Sequence, residues 1–320
     1  MEDYIIELKK KKCLVTGGAG FIGSNLSRFL AKNGANVTVL DNFSTGIIEN
    51  TSDFSDLGIN LIEADISNQE ITLPYFSDID FVFHQAAIPS VPRSLAEPFL
   101  TNDSNINGTL AVLENSRLNN VTKLVFAASS SAYGDTEVLP KEISMKPSPL
   151  SPYAVQKLTS EMYCKTYFDN FGLRTTALRY FNVYGPHQDP DSEYSAVIPI
   201  FIKKALANES ITIFGDGSTS RDFTFIDDVI QANLRAAISA KSDGHVLNVA
   251  YGNSFTLKEL ASKIIENTDS ISDIEYSDFR KGDVLHSSAD LSMTKKLIDY
   301  NPRFNLSKGL AKTIAFYKGQ

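Results

Sequence analysis

The fold of this chain is decided by the stretch TGGAGFIG, residues 16–23. It follows a short apolar run, Cys13–Val15, and it precedes a helical pattern, Ser24–Asn33. A strand that turns sharply into a helix through three glycines can hold a pyrophosphate, because the glycines let the backbone approach the phosphates. The N-terminus of the helix adds free N–H groups and the positive end of its dipole. A turn of this kind can also be a tight strand–helix connection and nothing more.

A carboxylate on the next strand favours nucleotide binding over a plain turn. The glycines are spaced G-x-x-G-x-x-G at Gly17, Gly20 and Gly23, and a second strand pattern, Val37–Leu40, leads directly into Asp41. A carboxylate at this place accepts hydrogen bonds from the ribose hydroxyls and would repel a 2′-phosphate. The sequence therefore predicts a dinucleotide site that prefers NAD to NADP.

Strand and helix patterns alternate along the first half of the chain. The strands are predicted at Cys13–Thr16, Val37–Leu40, Asn60–Glu63, Phe81–His84, Lys123–Ala127 and Arg174–Leu178. Short apolar strands separated by helices predict an α/β protein with a doubly wound parallel sheet. Shorter mixed elements follow: a helix around Ala196–Ala207, a strand at Ile211–Phe214, a helix at Asp227–Ile238 and a strand at Val246–Ala250. They predict a smaller C-terminal α/β lobe for the substrate.

Composition excludes several classes of function. The 320 residues are 42% hydrophobic and 21% charged, with a net charge of −8, which disfavours a nucleic-acid partner because phosphate neutralisation needs a basic surface. No apolar run is long enough to span a bilayer, and the N-terminus does not resemble a signal peptide. Two distant cysteines, Cys13 and Cys164, indicate reduced thiols in a cytoplasmic protein, and the four histidines lack the spacing of a metal site.

A second cluster, around Tyr153, predicts acid–base chemistry. Tyr153 and Lys157 stand four residues apart on a predicted helix that begins at Pro152 and ends before Gly172, so they share one face. A phenol has a reference pKa of about 10, and we expect the Lys157 ammonium and a cationic nicotinamide to favour its ionised form. The pair alone is more simply explained as part of an amphipathic helix. Ser129, at the end of a predicted strand, makes a three-residue site the better interpretation.

These motifs together resemble the extended short-chain dehydrogenase/reductase family. The glycine turn, the set Ser129, Tyr153 and Lys157, and the stretch LRYFNVYGP at residues 178–186 carry the likeness, which runs from about Lys12 to the C-terminus. Within the family the chain is most similar to the bacterial and archaeal UDP-N-acetylglucosamine 4-epimerases and UDP-glucose 4-epimerases. The resemblance implies a Rossmann domain, mainly residues 1–182 with the chain returning around 223–253, and a nucleotide-sugar lobe, mainly residues 183–320.

The resemblance also implies site residues, an NAD cofactor and a UDP-sugar substrate. The catalytic residues would be Ser129, Tyr153 and Lys157. The cofactor would contact Gly17, Gly20, Phe21, Ile22, Asp41, Asn42, Ser44, Thr45, Gly46, Asp65, Ile66, Gln85, Ala86, Ala87, Asn105, Tyr153, Lys157, Tyr180 and Val183. The substrate would contact Ser90, Ser129, Ser130, Tyr153, Asn182, Val197, Thr212, Phe214, Arg221, Arg280, Asp283 and Ser287. Arg221 and Arg280 suit a diphosphate, although a lone arginine is more often a surface ion-pair partner.

Within the family, the sequence favours epimerisation. Dehydratases place an acidic pair just after the active-site hydroxyl and decarboxylases keep a glutamate there, whereas Ser130 and Ser131 follow Ser129 here. Such a site can oxidise C4 of the sugar with Tyr153 as the base, let the 4-keto sugar turn over, and return the hydride to its other face. The alternatives are a UDP-glucuronate 4-epimerase, which would need cationic groups around C6, and a nucleotide sensor without catalysis.

Two finer expectations concern the substrate and the assembly. Ser287 stands where epimerases restricted to plain hexoses usually carry a tyrosine, so a small residue there predicts room for an N-acetyl group; it can also simply cap a helix that begins near Asp290. The resemblance implies a homodimer built through the helices near Pro98–Leu118 and Pro152–Phe171, which are apolar on more than one face. A larger lobe could equally cover that second face.

Overall fold

Seven parallel strands form the central sheet in a computed structural model that describes residues 3–191, 196–278 and 285–319. The strands of the chain are β1 (Lys12–Thr16), β2 (Asn36–Asp41), β3 (Asn60–Glu63), β4 (Phe81–His84), β5 (Lys123–Ser129), β6 (Thr175–Tyr180), β7 (Val183–Tyr184), β8 (Ile211–Phe214), β9 (Ser220–Asp222), β10 (Thr224–Phe225), β11 (His245–Val249), β12 (Ser254–Thr256) and β13 (Ile274–Ser277). Their order in the central sheet is β11-β6-β5-β4-β1-β2-β3. The predicted parallel sheet is confirmed.

Helices cover both faces of this sheet. They are α1 (Asp3–Leu8), α2 (Phe21–Lys32), α3 (Gln69–Thr72), α4 (Val91–Ala96), α5 (Pro98–Asn102), α6 (Gly108–Leu118), α7 (Pro152–Phe171), α8 (Val197–Leu206), α9 (Ile226–Ile238), α10 (Leu257–Thr268), α11 (Ser292–Ile298) and α12 (Leu306–Lys318). Short 3₁₀ turns occur at Ile48–Thr51, Leu73–Phe76, Ser130–Tyr133 and Ala240–Ser242. Alternate residues of β1 pack on opposite faces of the sheet: Cys13 and Val15 belong to one hydrophobic cluster and Leu14 to the other.

The order of strands places a crevice between β1 and β4. The chain adds β2 and β3 on one side of β1, then crosses to β4 and adds β5 and β6 on the other side. Ligands bind at such a reversal point, outside the carboxyl ends of the strands. Thr16 of β1 pairs in register with His84 of β4, so the glycine turn and the segment after His84 meet at that crevice.

The last strand of the central sheet comes from the second half of the chain. β11 (His245–Val249) pairs in parallel with β6 at the edge of the sheet, one residue earlier than the predicted Val246–Ala250. The remaining pairs, β7 with β10, β9 with β12 and β8 with β13, form separate two-stranded sheets. These make up the smaller C-terminal α/β part that was predicted. The boundaries of the two domains stay a prediction.

The helix of the glycine turn begins earlier than its sequence pattern suggests. α2 starts at Phe21, directly after Gly20, whereas the apolar pattern predicted Ser24. Gly23 therefore lies inside the first turn of the helix. A Cβ there would overlap the carbonyl oxygen of Gly17, so this close approach of helix and turn requires glycine.

The helix that carries Tyr153 has the predicted bounds. Pro152 occupies its first turn, and the side chain of Ser151 accepts a hydrogen bond from Ala154 N. Gly172 ends the helix in the left-handed conformation, with φ +71°. Because a proline start, a serine cap and a glycine stop are all local signals, the sequence alone was sufficient to place α7.

The long helical stretch from Pro98 to Leu118 is interrupted, which its sequence did not indicate. Asp103–Asn107 forms a π-helical turn between α5 and α6.

Both cysteines are buried and free, as predicted. No helix of the described residues has the length and apolarity needed to cross a membrane.

Candidate active site

Two cavities lie next to each other at the carboxyl edge of the sheet. The first has a volume of about 580 Å³ and is lined by the glycine turn and by the ends of β2, β5 and β6. The second has a volume of about 590 Å³ and is lined mainly by residues of the C-terminal half. Asn182, Val183 and Ala196 line both of them, so the two cavities share a wall.

Most of the residues predicted for the cofactor line the first cavity. They are Gly17, Gly20, Phe21, Ile22, Asp41, Asn42, Ser44, Thr45, Ile66, Gln85, Ala86, Ala87, Tyr153, Lys157, Tyr180 and Val183. Five of the predicted substrate residues line the same cavity: Ser90, Ser129, Ser130, Tyr153 and Asn182. The structure thus brings together residues that are up to 166 positions apart, from Gly17 to Val183. Their functional roles stay predictions.

The glycine turn is shaped by close backbone contacts. Gly17 has φ +71°, and a Cβ on it would lie 2.5 Å from Cα of Ala86, which belongs to the segment after β4. Gly20 caps α2 in an extended conformation and has no side chain to satisfy the first N–H groups of the helix. Gly20 offers these N–H groups no side-chain acceptor, and a bound anion can supply one.

Asp41 reaches the glycine turn from the end of β2. Its carboxylate accepts hydrogen bonds from the main-chain N–H groups of Ala19 and Phe43, each at 2.8 Å. Burial raises the pKa of Asp41, and these two N–H groups lower it in part. A carboxylate oxygen has more than one lone pair, so Asp41 can accept ribose hydroxyls while it keeps both of these bonds.

Tyr180 and Gln85 form one side of the first cavity. The Tyr180 hydroxyl lies 3.2 Å from Gln85 Oε1 and 2.8 Å from Asn233 Nδ2. Burial raises the pKa of Tyr180 to about 12, so its hydroxyl stays protonated and donates. We infer that this tyrosine positions the Gln85 side chain against the cavity and takes no part in proton transfer.

Ser129 and Tyr153 form a directed chain of hydroxyls. Ser131 donates to Ser129 Oγ from its hydroxyl at 2.9 Å and from its main-chain N–H at 3.2 Å. The Ser129 proton is then free to reach the Tyr153 oxygen, and this hydrogen bond lowers the pKa of Tyr153. Burial acts in the opposite direction and is the larger effect, so the pKa of Tyr153 lies above its ordinary value.

Lys157 contacts the end of β5, and its predicted action on the phenol stays a prediction. Its Nζ donates to the main-chain oxygen of Ala127 at 2.8 Å and lies 4.9 Å from the centre of the Phe126 ring. Burial lowers the pKa of Lys157 to about 7, so the amine is only partly charged near neutral pH. A half-charged amine directed at the main chain gives the phenolate less support than a full ammonium would.

Three of the predicted cofactor residues line neither cavity. Gly46 packs behind Asp41, where a Cβ would lie 2.9 Å from its carboxylate. Asp65 accepts from Asn42 Nδ2 at 2.8 Å and so supports a residue that does line the cavity. Asn105 lies in the π-helical turn, where its side chain accepts from Ile88 N at 2.8 Å and donates to Ile88 O at 3.2 Å. The contacts predicted between these three residues and the cofactor stay predictions.

The second cavity contains part of the predicted substrate set. Val197, Phe214 and Arg221 line it together with Asn182. Thr212 lines neither cavity, and its hydroxyl accepts from Lys204 Nζ at 3.3 Å. Arg280 and Asp283 lie outside the described residues, so their predicted roles are not addressed by the structure.

Ser287 lies directly behind a cavity wall. Its hydroxyl accepts from Asn182 Nδ2 at 3.2 Å and from the main-chain N–H of Asp222 at 3.4 Å, and the residue is 9% exposed. It lines neither cavity itself, whereas Asn182 lines both. The helix for which Ser287 was considered as a cap begins at Ser292, five residues later, so that alternative role is wrong.

Several residues of the first cavity were missed by sequence reasoning. They are His187, Gln188 and Asp189 of the loop that faces the glycine turn, Asn50 between that loop and the turn, and Arg93 near Ser90. The proline- and aspartate-rich composition of residues 186–191 indicated a loop there. Nothing local pointed to Asn50, since its place depends on how the first and second halves of the chain pack.

Known proteins are similar to this chain over nearly its whole length. Residues 13–250 match the NAD dependent epimerase/dehydratase family. A putative UDP-glucose 4-epimerase of Methanocaldococcus jannaschii is 36% identical over 95% of this chain and 98% of its own length. A UDP-glucuronate 4-epimerase of Thermodesulfobacterium geofontis is 34% identical over 95% of each chain.

A solved structure is similar as well. It is a UDP-N-acetylglucosamine 4-epimerase from Methanobrevibacter ruminantium M1, in complex with UDP-N-acetylmuramic acid. It is 39% identical, has a TM-score of 0.92, and covers 97% of this chain and 99% of its own. The chain therefore belongs to the NAD dependent epimerase/dehydratase family, and NAD is its cofactor.

The residues of the first cavity fit that cofactor. The start of α2, which has no side-chain cap, lines the cavity at Gly20, Phe21 and Ile22 and suits a diphosphate. The Asp41 carboxylate suits a ribose diol, and Tyr153 and Lys157 line the same cavity further along. The cavity thus offers a place for each polar part of NAD.

Proposed function

We propose that this protein interconverts UDP-hexoses by inverting C4, and that it acts on UDP-N-acetylglucosamine and UDP-N-acetylgalactosamine as well as on UDP-glucose and UDP-galactose. The observation that carries the proposal is that Ser129 and Tyr153 line the cofactor cavity together, with Ser131 donating to Ser129 and the Ser129 hydroxyl lowering the pKa of Tyr153. A base aligned on a sugar hydroxyl next to a hydride acceptor can oxidise that carbon and reduce it again. The family membership supports the same reaction class.

The chain's own residues supply proton transfer and orientation. Tyr153 removes the proton from the 4-hydroxyl of the sugar and later returns it, while Ser129 holds the same oxygen. When bound, NAD supplies reversible hydride acceptance at C4. Lys157 fixes the first turn of α7 against Ala127 and thereby positions Tyr153. Because the hydride is returned, the net reaction consumes no cofactor.

The positions of the carboxylates favour epimerisation over elimination. Ser130 lines the first cavity beside Ser129, and neither it nor Ser131 can act as an acid on the sugar. One carboxylate that sequence reasoning overlooked, Asp135, follows closely in the chain, but it lines the second cavity. Dehydration and decarboxylation both need an ionisable group next to C5 or C6, so their requirements are not met at Ser129.

The size of Ser287 supports acceptance of the N-acetyl group. Its hydroxyl contacts Asn182, which lines both cavities. A tyrosine at 287 could not fit at a 9% exposed position without displacing Asn182 towards the cavities. Because serine is small, Asn182 is not displaced, and volume remains beside the sugar for an acetamido group.

The experiment is an assay of the wild type and Ser287→Tyr with four UDP-hexoses, two with and two without the N-acetyl group. We expect the wild type to convert all four. We expect the variant to lose about tenfold or more on the acetylated pair only, because overpacking costs roughly 1–3 kcal/mol. Ser288→Tyr is the matched control. Equal losses on both pairs would remove Ser287 as the determinant, and a wild type inert on acetylated sugars would overturn the substrate assignment.

A UDP-glucuronate 4-epimerase is the second candidate. Arg93 lines the first cavity near Ser90 and could receive a C6 carboxylate, although it already pairs with Glu97 at 2.9 Å. Adding UDP-glucuronate to the same assay separates the two candidates. A protein that holds NAD but converts none of the five sugars would instead be a nucleotide sensor.

We also propose a cytoplasmic homodimer. α5 and α7 pack against each other and leave Phe99, Leu100, Val155 and Met162 exposed. Phe99 is 91% exposed, which is unusual for a phenylalanine on a helix and favours burial by a second copy. The two free buried thiols support the cytoplasmic location.

A further inference from the structure

The loop after β7 forms the cavity wall that faces the glycine turn. Its residues His187, Gln188 and Asp189 line the first cavity together with Gly17, Gly20 and Phe21. The loop is tied to α2 directly, because Asn25 Nδ2 donates to Pro186 O at 2.9 Å. The wall comes from the second half of the chain, yet it is fastened to the first.

One buried side chain joins the two walls. Asn50 is 4% exposed, and its Nδ2 donates both to Ala19 O, inside the glycine turn, and to His187 O, in the opposing loop, each at 3.2 Å. Its Oδ1 lies 3.2 Å from His187 Nδ1, so that ring nitrogen carries the proton and donates. Every polar atom of the Asn50 amide group therefore serves the connection between turn and loop.

Asn50 is itself held rigidly. Arg28 Nη2 donates to the main-chain oxygen of Asn50 at 2.7 Å, and Arg28 forms an ion pair with Asp53 at 2.8 Å. Burial lowers the pKa of His187 to about 4, with Arg28 adding to the effect, so the ring is neutral near pH 7. The connection thus keeps one geometry across the neutral pH range.

The C-terminal helix supports the loop from behind, and one atom of the loop lacks a partner. The Phe316 ring lies 4.5 Å from the His187 ring, and the Tyr317 hydroxyl donates to Gln188 O. The buried Gln188 Oε1 has no donor among the described residues, although Gln188 lines the cavity. An unsatisfied buried oxygen in a cavity wall is suited to a hydroxyl or amide donor of a ligand.

We propose that Asn50 is a latch that retains NAD between turnovers by holding the loop at 186–189 against the glycine turn. A dinucleotide whose diphosphate sits at the start of α2 lies between these two walls. It leaves only when they separate, and because Asn50 is held on the side of the turn, separation breaks its two hydrogen bonds with His187. Asn50 is a positioning residue: it acts on the walls of the cavity and is not needed for hydride or proton transfer.

The test compares Asn50→Ala with Asn33→Ala. Asn33 also donates its side-chain amide to a carbonyl, Phe29 O at 2.8 Å, but at the far end of α2 and outside the cavity. NAD content is measured on the purified, denatured protein. The release rate is measured by trapping freed NAD with an excess of an unrelated dehydrogenase and its substrate. Neither readout needs a sugar nucleotide, so failure here is distinct from failure of the proposed epimerase activity.

We expect Asn50→Ala to release NAD about tenfold faster or more, since both hydrogen bonds to His187 of the loop are lost and each changes an equilibrium by roughly 2- to 12-fold. In Asn33→Ala we expect NAD content, NAD release and turnover to match the wild type, because Asn33 lines neither cavity. Asn25→Ala removes one hydrogen bond to the loop, at Pro186 O, and one within α2, at Phe21 O. It should give a smaller increase, and it serves as the test if Asn50→Ala does not fold. Wild-type NAD content and release in Asn50→Ala, or equal effects in Asn33→Ala, would overturn the latch.

Discussion

Ser129 ends β5 and Tyr153 lies in the first turn of α7, and folding brings the two side chains together in the first cavity. The donor chain from Ser131 through Ser129 stabilises a phenolate on Tyr153, whereas burial of the ring opposes it. Because apolar surroundings raise the pKa of a phenol, its ionisation at this site depends on the charges of bound ligands. We therefore expect Tyr153 to become an effective base only in the complete complex.

Tyr153→Phe should abolish turnover and leave the fold and NAD content unchanged. The substitution deletes one oxygen, and general-base assistance contributes roughly 10²–10⁴-fold. Tyr163→Phe, the same deletion on the same helix outside both cavities, is the control. Turnover of each variant is measured at saturating UDP-sugar, and bound NAD is quantified in parallel. A Tyr153→Phe enzyme that kept a tenth of wild-type turnover would show that another group is the base.

At this scale the sequence predicted residues better than their interactions. Asp41 ends β2 as expected, because a strand followed by an acid is a local pattern. The target of the Lys157 amine was not predictable in the same way. Ala127 O becomes available to it only once β5 and α7 are packed together. Asn105 is a similar case, since its contact with Ile88 depends on the π-helical turn.

Among the elements, α2 and its glycine turn position the cofactor. The start of the helix must approach the turn closely, since its free N–H groups are useful to an anion only within hydrogen-bonding distance. Gly23 makes this possible, because the carbonyl group of Gly17 lies where a Cβ of residue 23 would otherwise be. The spacing of three glycines is therefore a packing requirement of one helix end.

Gly23→Ala should push α2 away from the turn and weaken both NAD binding and the fold. We expect a loss of roughly 1–3 kcal/mol in the free energy of unfolding, as for other overpacked sites. Gly319→Ala is the control, because a Cβ there would have its nearest neighbour at 3.5 Å. Urea unfolding and NAD content of the two variants are compared. Wild-type values for Gly23→Ala would show that the turn can relax without loss.

On the scale of the whole molecule, α5 and α7 show both an inner and an outer surface. Their inner residues pack on the sheet and on the Asn105 network, where Gln156 Oε1 accepts from Asn105 Nδ2 at 2.9 Å. Their outer residues include the exposed Phe99 and Met162. A dimer built on this outer surface would bury apolar area directly behind the helix that carries Tyr153.

The double substitution Phe99→Glu and Met162→Glu should convert a dimer into a monomer. Two charges that have to be desolvated at an apolar interface cost several kcal/mol together. Ile271→Glu, at a residue 85% exposed elsewhere on the protein, should leave the assembly unchanged. Molar mass in solution is measured by light scattering during gel filtration. A wild type that elutes as a monomer would refute the proposed dimer.

The sequence by itself determined most of the elements and the parallel character of the sheet. Strand periodicity, glycine spacing and helix caps act over a few residues, so the parallel sheet, α7 and the position of Asp41 could be predicted from the chain alone. Only the tertiary structure decided which side chains meet across long separations. Asn50 joins Ala19 to His187, and Ser287 supports Asn182, because folding brings together segments that are more than 100 residues apart. No local pattern records such pairs, since each partner looks like an ordinary polar residue until the two halves of the chain pack.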